Sequence, residues 1–164
     1  AEHVETRACV AVLPRDHALA ARESLAPADF QGVPFVAASL GSALRDRTEA
    51  VFEAAGIGLT ITAEAGLGAS ICTLVSAGLG VSVMNPLAAH EEAKVSPIAI
   101  RPFAPALPVH FALLFPPDHA RGRLMRAFGA CARTVLLEEL AQLPDAASGR
   151  PADGAQAARF SAPA

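Results

Sequence analysis

Residues 33–92 switch between short apolar runs and helical periodicity with almost no connecting length. VPFVA (33–37), LTITA (59–63) and VSVM (81–84) read as strands, and the stretches 43–55, 69–77 and the one opening at Pro86 read as helices. A strand followed at once by a helix and another strand favours a parallel α/β sheet, because parallel neighbours need a crossover and a helix is the usual one. The helix at 43–55 carries the clearest local signals. Ser42 is a suitable N-cap, Leu44, Val51, Phe52 and Ala55 share a face, Arg45 and Glu49 stand four apart, and Gly56 supplies the C-terminal stop. Asn85-Pro86 repeats the logic, a capping residue followed by proline at the first helical position. In the 69–77 helix, Ile71, Leu74 and Val75 face inward.

The flanks follow a looser pattern. ACVAVL (8–13) reads as a buried strand, the polar stretch 15–31 as holding one short helix near 26–30, and 98–103 as a strand among prolines. VHFALLF (109–115) is apolar on both faces and is expected as a central strand. The longest helix is expected at 122–140, with Leu124, Phe128, Cys131, Val135 and Leu136 as its inward stripe. From 143 to 164 the composition turns to Ala, Gly, Pro and Ser, which predicts a disordered tail.

Composition removes several classes. A formal charge of −3, with Lys+Arg 13 against Asp+Glu 16 and no basic run, lacks the electrostatic footprint of a nucleic-acid binder. An apolar fraction of 52% is too high for a disordered chain. Gly, Pro or charge interrupts every apolar stretch before the roughly 20 residues of a membrane helix, so no membrane partner is expected. Cys9, Cys72 and Cys131 are odd in number and lie in apolar runs, which predicts reduced, buried thiols and a cytoplasmic location. The chain opens at Ala1 with no leader and is expected to be part of something longer.

No catalytic set stands out. The five histidines show no metal-ligand spacing, no GxSxG is present, and Gly66-Leu67-Gly68 fails the dinucleotide fingerprint because position 71 is Ile71. No metal and no cofactor is expected. Cys72 reads as a core thiol; an enzyme built on it would need an accessible thiol of lowered pKa. Three strand-to-helix junctions are more informative: 39–42, 65–68 and Asn85-Pro86. In an open parallel sheet such junctions share one edge, where helix N-termini and the hydroxyls of Ser39 and Ser42 can hold a small anion. Arg45 is a further candidate for a ligand carboxylate, with Glu49 as its alternative partner.

The same residues resemble a known family. VAVLPRDHALA (10–20), the 25–35 stretch with Asp29, FEAAG (52–56), LVSAGLGVSV (74–83) and NPLAA (85–89) are similar, in that order, to the effector-binding domain of LysR-type transcriptional regulators. VMNPLAA and IRPFAPALPVHFALLFPP (100–117) look closest to the branch responding to lysine-pathway and opine-type amino acids. The resemblance implies a type-2 periplasmic-binding-protein-like α/β fold, with two α/β subdomains joined by crossing strands and the first subdomain incomplete. It puts residues 1–13 and 98–142 in subdomain I with its crossing strands, and 14–97 in subdomain II. A small carboxylate, amino-acid- or opine-like, is then the implied effector. The implied contacts are Ser39, Gly41, Ser42, Ala65, Gly66, Leu67, Asn85 and Phe103. Two sites depart from the family: 65–67 lack the usual hydroxyl or amide side chains, and Ala88 stands where that branch prefers Thr.

The resemblance further implies DNA binding only through an N-terminal domain that this chain lacks, and self-association as a dimer or tetramer. An open sheet edge predicts self-association for this segment by itself. A stand-alone solute-binding module and a truncated, non-functional fragment are the alternatives.

Overall fold

The computed structural model describes residues 1–115 and 122–144. Its elements are β1 (Glu2–Ala8), β2 (Val10–Pro14), two short 3₁₀ turns (Ala18–Ala21 and Pro27–Phe30), β3 (Pro34–Ala38), α1 (Ala43–Ala54), β4 (Thr60–Ala65), α2 (Gly68–Ser76), β5 (Ser82–Met84), α3 (Pro86–Ala93), β6 (Ile98–Pro102), β7 (Pro108–Leu113) and α4 (Arg123–Ala141).

β3 and β4 pair in parallel, from Pro34↔Thr60 to Ala38↔Ala65. Val81 joins β3 to β5 in the same sense: Val36 N–H donates to its carbonyl at 2.8 Å, and its own N–H donates to the Pro34 carbonyl at 2.9 Å. β2 lies antiparallel to both β5 and β6. The strands therefore follow one another across a mixed surface in the order β4-β3-β5-β2-β6. The β2–β6 ladder runs from Val10↔Pro102 to Pro14↔Ile98.

Both faces of this surface are covered, and alternation along β2 sorts its residues between them. Cys9, Ala11 and Leu13 join Phe30, Phe35, Phe52 and Phe103 beneath α1. Val10 and Val12 join Val36, Ile71, Val75, Met84 and Ala89 beneath α2 and α3. The first core is an aromatic knot, with Phe52 stacked on Phe103 at 5.8 Å and Phe30 edge-on to Phe52 at 5.3 Å. Such pairs each add about 0.5–1.5 kcal/mol beyond their buried area.

Several expectations need correction. A separate first strand, β1, precedes β2; its sequence EHVETRA buries only Val4 and Ala8, too few for an apolar signal. β7 is not central: among the described residues its one strand partner is β1, and none of its six residues is fully buried. Most of the α4 stripe points outward, with Leu124 at 84% and Phe128 at 72% exposed and Cys131 and Val135 also exposed, while Leu136 packs against the second core as expected. That helix buries only Gly129 and Leu140. α1 turns Arg45, Thr48 and Phe52 inward and leaves Ala55 exposed. In α2 the buried residues are Ile71, Cys72 and Val75, with Leu74 half-buried. Leu143, placed in the tail from sequence, is buried within the second core. Residues 145–164 lie outside the described residues.

Candidate functional site

The three junctions meet at one edge of the sheet. At the end of β3 the chain turns through Gly41, whose φ of +77° is the left-handed conformation glycine adopts without strain. Ser42 N–H donates to the Ser39 carbonyl at 3.2 Å, and Ser42 Oγ then accepts the Arg45 N–H at 3.2 Å to cap α1. Across the edge, Ser39 N–H donates to the Ala65 carbonyl at 3.1 Å, tying the first loop to the second. Gly66 sits close to that contact: a Cβ there would stand 3.3 Å from Ser39 Oγ. The second loop runs into α2, and a Cβ on Gly68 would lie 3.0 Å from both the Ala88 Cβ and the Met84 Cε. That places the third junction beside the second. There Asn85 Oδ1 accepts the Ala88 N–H at 2.8 Å.

Three helix N-termini are thus gathered together, each presenting backbone N–H groups and the positive end of a helix dipole. They differ in one respect. Ser42 caps α1 and Asn85 caps α3, but Leu67 leads into α2 with no side-chain cap. Leu40 and Leu67 flank the edge, 72% and 71% exposed. Seven of the eight residues expected from sequence therefore occupy the three junctions. The eighth does not: Phe103 is buried in the first core, in ring contact with Phe30 and Phe52. Its apolar neighbours dictate that position.

Arg45 is the surprise of the region. It is 5% exposed, although it is charged and sits on a helix near the surface. Its Nε donates to Glu49 at 2.6 Å, and its Nη1 donates to Glu64 at 2.9 Å and to the Ala38 carbonyl at 3.0 Å. The hydrogen bond to Glu49, and after it those charges and Glu64, hold its pKa above the ordinary arginine value. With two carboxylates already in place, Arg45 is not the open cation expected for a ligand. The signal was present in the sequence, since Arg45, Thr48 and Phe52 fall on one helical face. A charged residue on that face reads as solvent-facing until a partner such as Glu64 is known.

Other candidates resolve into structure. Cys72 is fully buried, its thiol 3.5 Å from Met84 Sδ, and burial pushes its pKa up to about 11. A protonated thiol without access is a core residue, and the lowered pKa that an enzyme reading needs is absent. His17 accepts the Leu19 N–H at 3.2 Å, and the His90 ring meets the Pro86 carbonyl at 2.8 Å. Among the described residues no three His, Cys, Asp or Glu side chains are grouped to hold a metal ion. No described helix is long and apolar enough to cross a membrane. A shallow hollow of about 440 Å³ lies at the far end of α1, lined by Phe52, Gly56, Ile57 and Leu59 with Glu49 and Glu53. It is open and acidic, opposite in character to the edge with the helix N-termini.

Comparison with known proteins bears on this arrangement. Residues 1–137 match the model of the LysR substrate binding domain. The chain is 33% identical over 143 residues to the regulatory protein NocR of Agrobacterium tumefaciens (strain T37), covering 87% of this chain and 46% of that protein. It is 34% identical over 119 residues to the transcriptional activator protein LysR of Escherichia coli (strain K12), covering 73% and 38% respectively. Among solved structures it is similar to the effector binding domain of QuiR in complex with shikimate, at a TM-score of 0.68 and 20% identity, covering 84% of this chain and 65% of that one. That likeness shows the fold, the type-2 periplasmic-binding-protein-like α/β architecture. The chain spans about half the length of the curated relatives it matches.

Proposed function

This chain belongs to the family of LysR substrate-binding domains, and on that premise we propose that it senses a small carboxylate, amino-acid- or opine-like, at the edge formed by residues 39–42, 65–67 and Asn85. The observation that carries this reading is the convergence of three helix N-termini, of which α2 alone has no side-chain cap. A carboxylate placed there meets backbone N–H donors and three favourable dipole ends. Ser42 Oγ accepts from Arg45 N–H, which leaves its own proton to donate. Shikimate, the ligand of the QuiR domain, is also a small carboxylate.

The relatives are regulators of transcription rather than enzymes. In a longer protein the effector acts through its different affinities for two arrangements of the domains, shifting their populations and with them the spacing of DNA-binding parts outside this chain. We assign residues 14–97 to one subdomain, and residues 1–13 with 98–142 to the other and its crossing strands. The ligand lies between them. Self-association as a dimer or tetramer and a cytoplasmic setting complete the proposal.

Titration calorimetry with a panel of amino acids, N-carboxyalkyl amino acids and shikimate tests it. One member of the panel binds, and Ser42→Ala weakens it by roughly 1 kcal/mol, the worth of one hydrogen bond, with the fold retained. Affinity unchanged by Ser42→Ala removes Ser42 from the site. Binding by no member of the panel removes the carboxylate class.

A further inference from the structure

We infer that Arg45 is the positioning residue that couples the two loops of the proposed effector site, a role that rests on that reading for its consequence and on geometry for its existence. Three contacts of this one residue converge on the loops, and a fourth holds it on its own helix. Its backbone N–H donates to Ser42 Oγ at 3.2 Å, so it fixes the last residue of the first loop. Its Nη1 donates to the carbonyl of Ala38 at 3.0 Å, the residue just before Ser39. The same nitrogen donates to Glu64 at 2.9 Å, the residue just before Ala65. Its Nε is held at 2.6 Å by Glu49, one turn along its own helix, which fixes the guanidinium in place.

The ends of β3 and β4 are therefore fastened to the start of α1 by a single planar group. The β3–β4 ladder runs up to Ala38↔Ala65, and just past it Ser39 N–H donates to the Ala65 carbonyl. Charge makes the coupling specific. Glu49 and Glu64 both pair with Arg45, and without it each carboxylate loses this cation. Lysine keeps the charge but has no rigid fork to reach three acceptors in different directions.

Amide hydrogen exchange on the full chain reads the coupling directly. Ser39 N–H reports the loop contact, and Val36 N–H, bonded to the Val81 carbonyl in the same strand, reports the sheet. Arg45→Met raises Ser39 exchange tenfold or more relative to Val36, with Arg45→Lys intermediate and Glu64→Gln smaller. An unchanged Ser39-to-Val36 ratio in Arg45→Met overturns the inference. Where Arg45→Met fails to fold, both amides exchange together; Arg45→Lys and Glu64→Gln then decide, and a ratio unchanged in both overturns it. Titration with L-lysine adds a functional arm. Arg45→Lys weakens its binding fivefold or more at unchanged global stability, and equal affinity counts against a positioning role. A wild-type chain that takes up no L-lysine removes that probe from the site, and the exchange ratio then decides Arg45 alone.

Discussion

Two helices carry similar apolar stripes in the sequence and meet opposite fates in the fold. α1 lies over β3 and turns Phe52 into the aromatic knot, 1% exposed. α4 touches β1, buries Gly129 and Leu140, and leaves Leu124, Phe128 and Val135 facing outward among the described residues. Periodicity reports that a helix has an apolar face; it does not report what covers it. The buried residues of the core that covers α1 all lie between Cys9 and Leu107 of this chain. The chain spans about half the length of its curated relatives.

The sharpest way to break this contrast is to truncate one phenylalanine from each helix. Phe52→Ala removes a ring packed against Phe30, Phe35 and Phe103 and costs about 3–5 kcal/mol, read as a fall in the urea midpoint. Phe128→Ala removes an exposed ring and costs less than about 0.5 kcal/mol. Its expected effect is instead a weakening of the proposed self-association, read by sedimentation velocity. A loss of stability at Phe128 equal to that at Phe52 would mean that α4 is covered in solution even in the dissociated chain.

Glycines extend the comparison. Gly80 has a φ of +155°, and a Cβ there would stand 2.4 Å from the Pro34 carbonyl oxygen, at the point where Val81 joins β3 to β5. Backbone cannot yield as a side chain does, so Gly80→Ala costs about 3 kcal/mol in chemical denaturation. Among the described residues, Gly129 in α4 faces the ring of Phe115, 3.2 Å from its would-be Cβ. Crowding there opposes a helix-propensity gain of about 1 kcal/mol, and Gly129→Ala stays within about 1 kcal/mol of the parent.

Helix starts provide a smaller contrast. Asn85→Ala removes the acceptor that caps α3 and costs about 1 kcal/mol in thermal denaturation. α4 starts after Gly122 with no side-chain cap, so Gly122→Ser changes stability by only a few tenths. A cost at Gly122 as large as at Asn85 would show that the start of α4 is as firmly held as that of α3.

What the sequence makes legible follows the same division. The alternation in residues 33–92, the caps at Ser42 and Asn85 and the meeting of three junctions are local or topological matters, and the chain states them in its own order. Long-range partnership is what it withholds. β1 looks polar because its stability comes from β7, more than a hundred residues away. Arg45 looks exposed because Glu64 lies on a different element, β4. Phe103 looks available just past β6, yet the rings of Phe30 and Phe52 pack on it and it is buried. VHFALLF looks central because apolar residues on both faces imply two covered faces, and among the described residues β7 has neither fully covered.

Thiol reactivity draws the contrast with the least disturbance to the fold. Cys9 and Cys72 lie in the two cores, and burial raises the pKa of each to about 11, whereas Cys131 is exposed on α4. At pH 8 a thiol of that pKa is ionised in about one molecule in a thousand, and reagent also needs a local opening to reach it. Iodoacetamide therefore labels Cys131 first, with Cys9 and Cys72 slower by roughly a hundredfold or more. The raised values have a consequence for stability as well. The folded chain favours the protonated thiols, so their contribution is fully present below about pH 9 and is lost as pH climbs from there toward about 11. Labelling of Cys72 at the rate of Cys131 in the folded chain would return it to the list of nucleophiles. Labelling of Cys72 that accelerates only in Phe52→Ala, in step with its lost stability, places the thiol in a core that opens by unfolding.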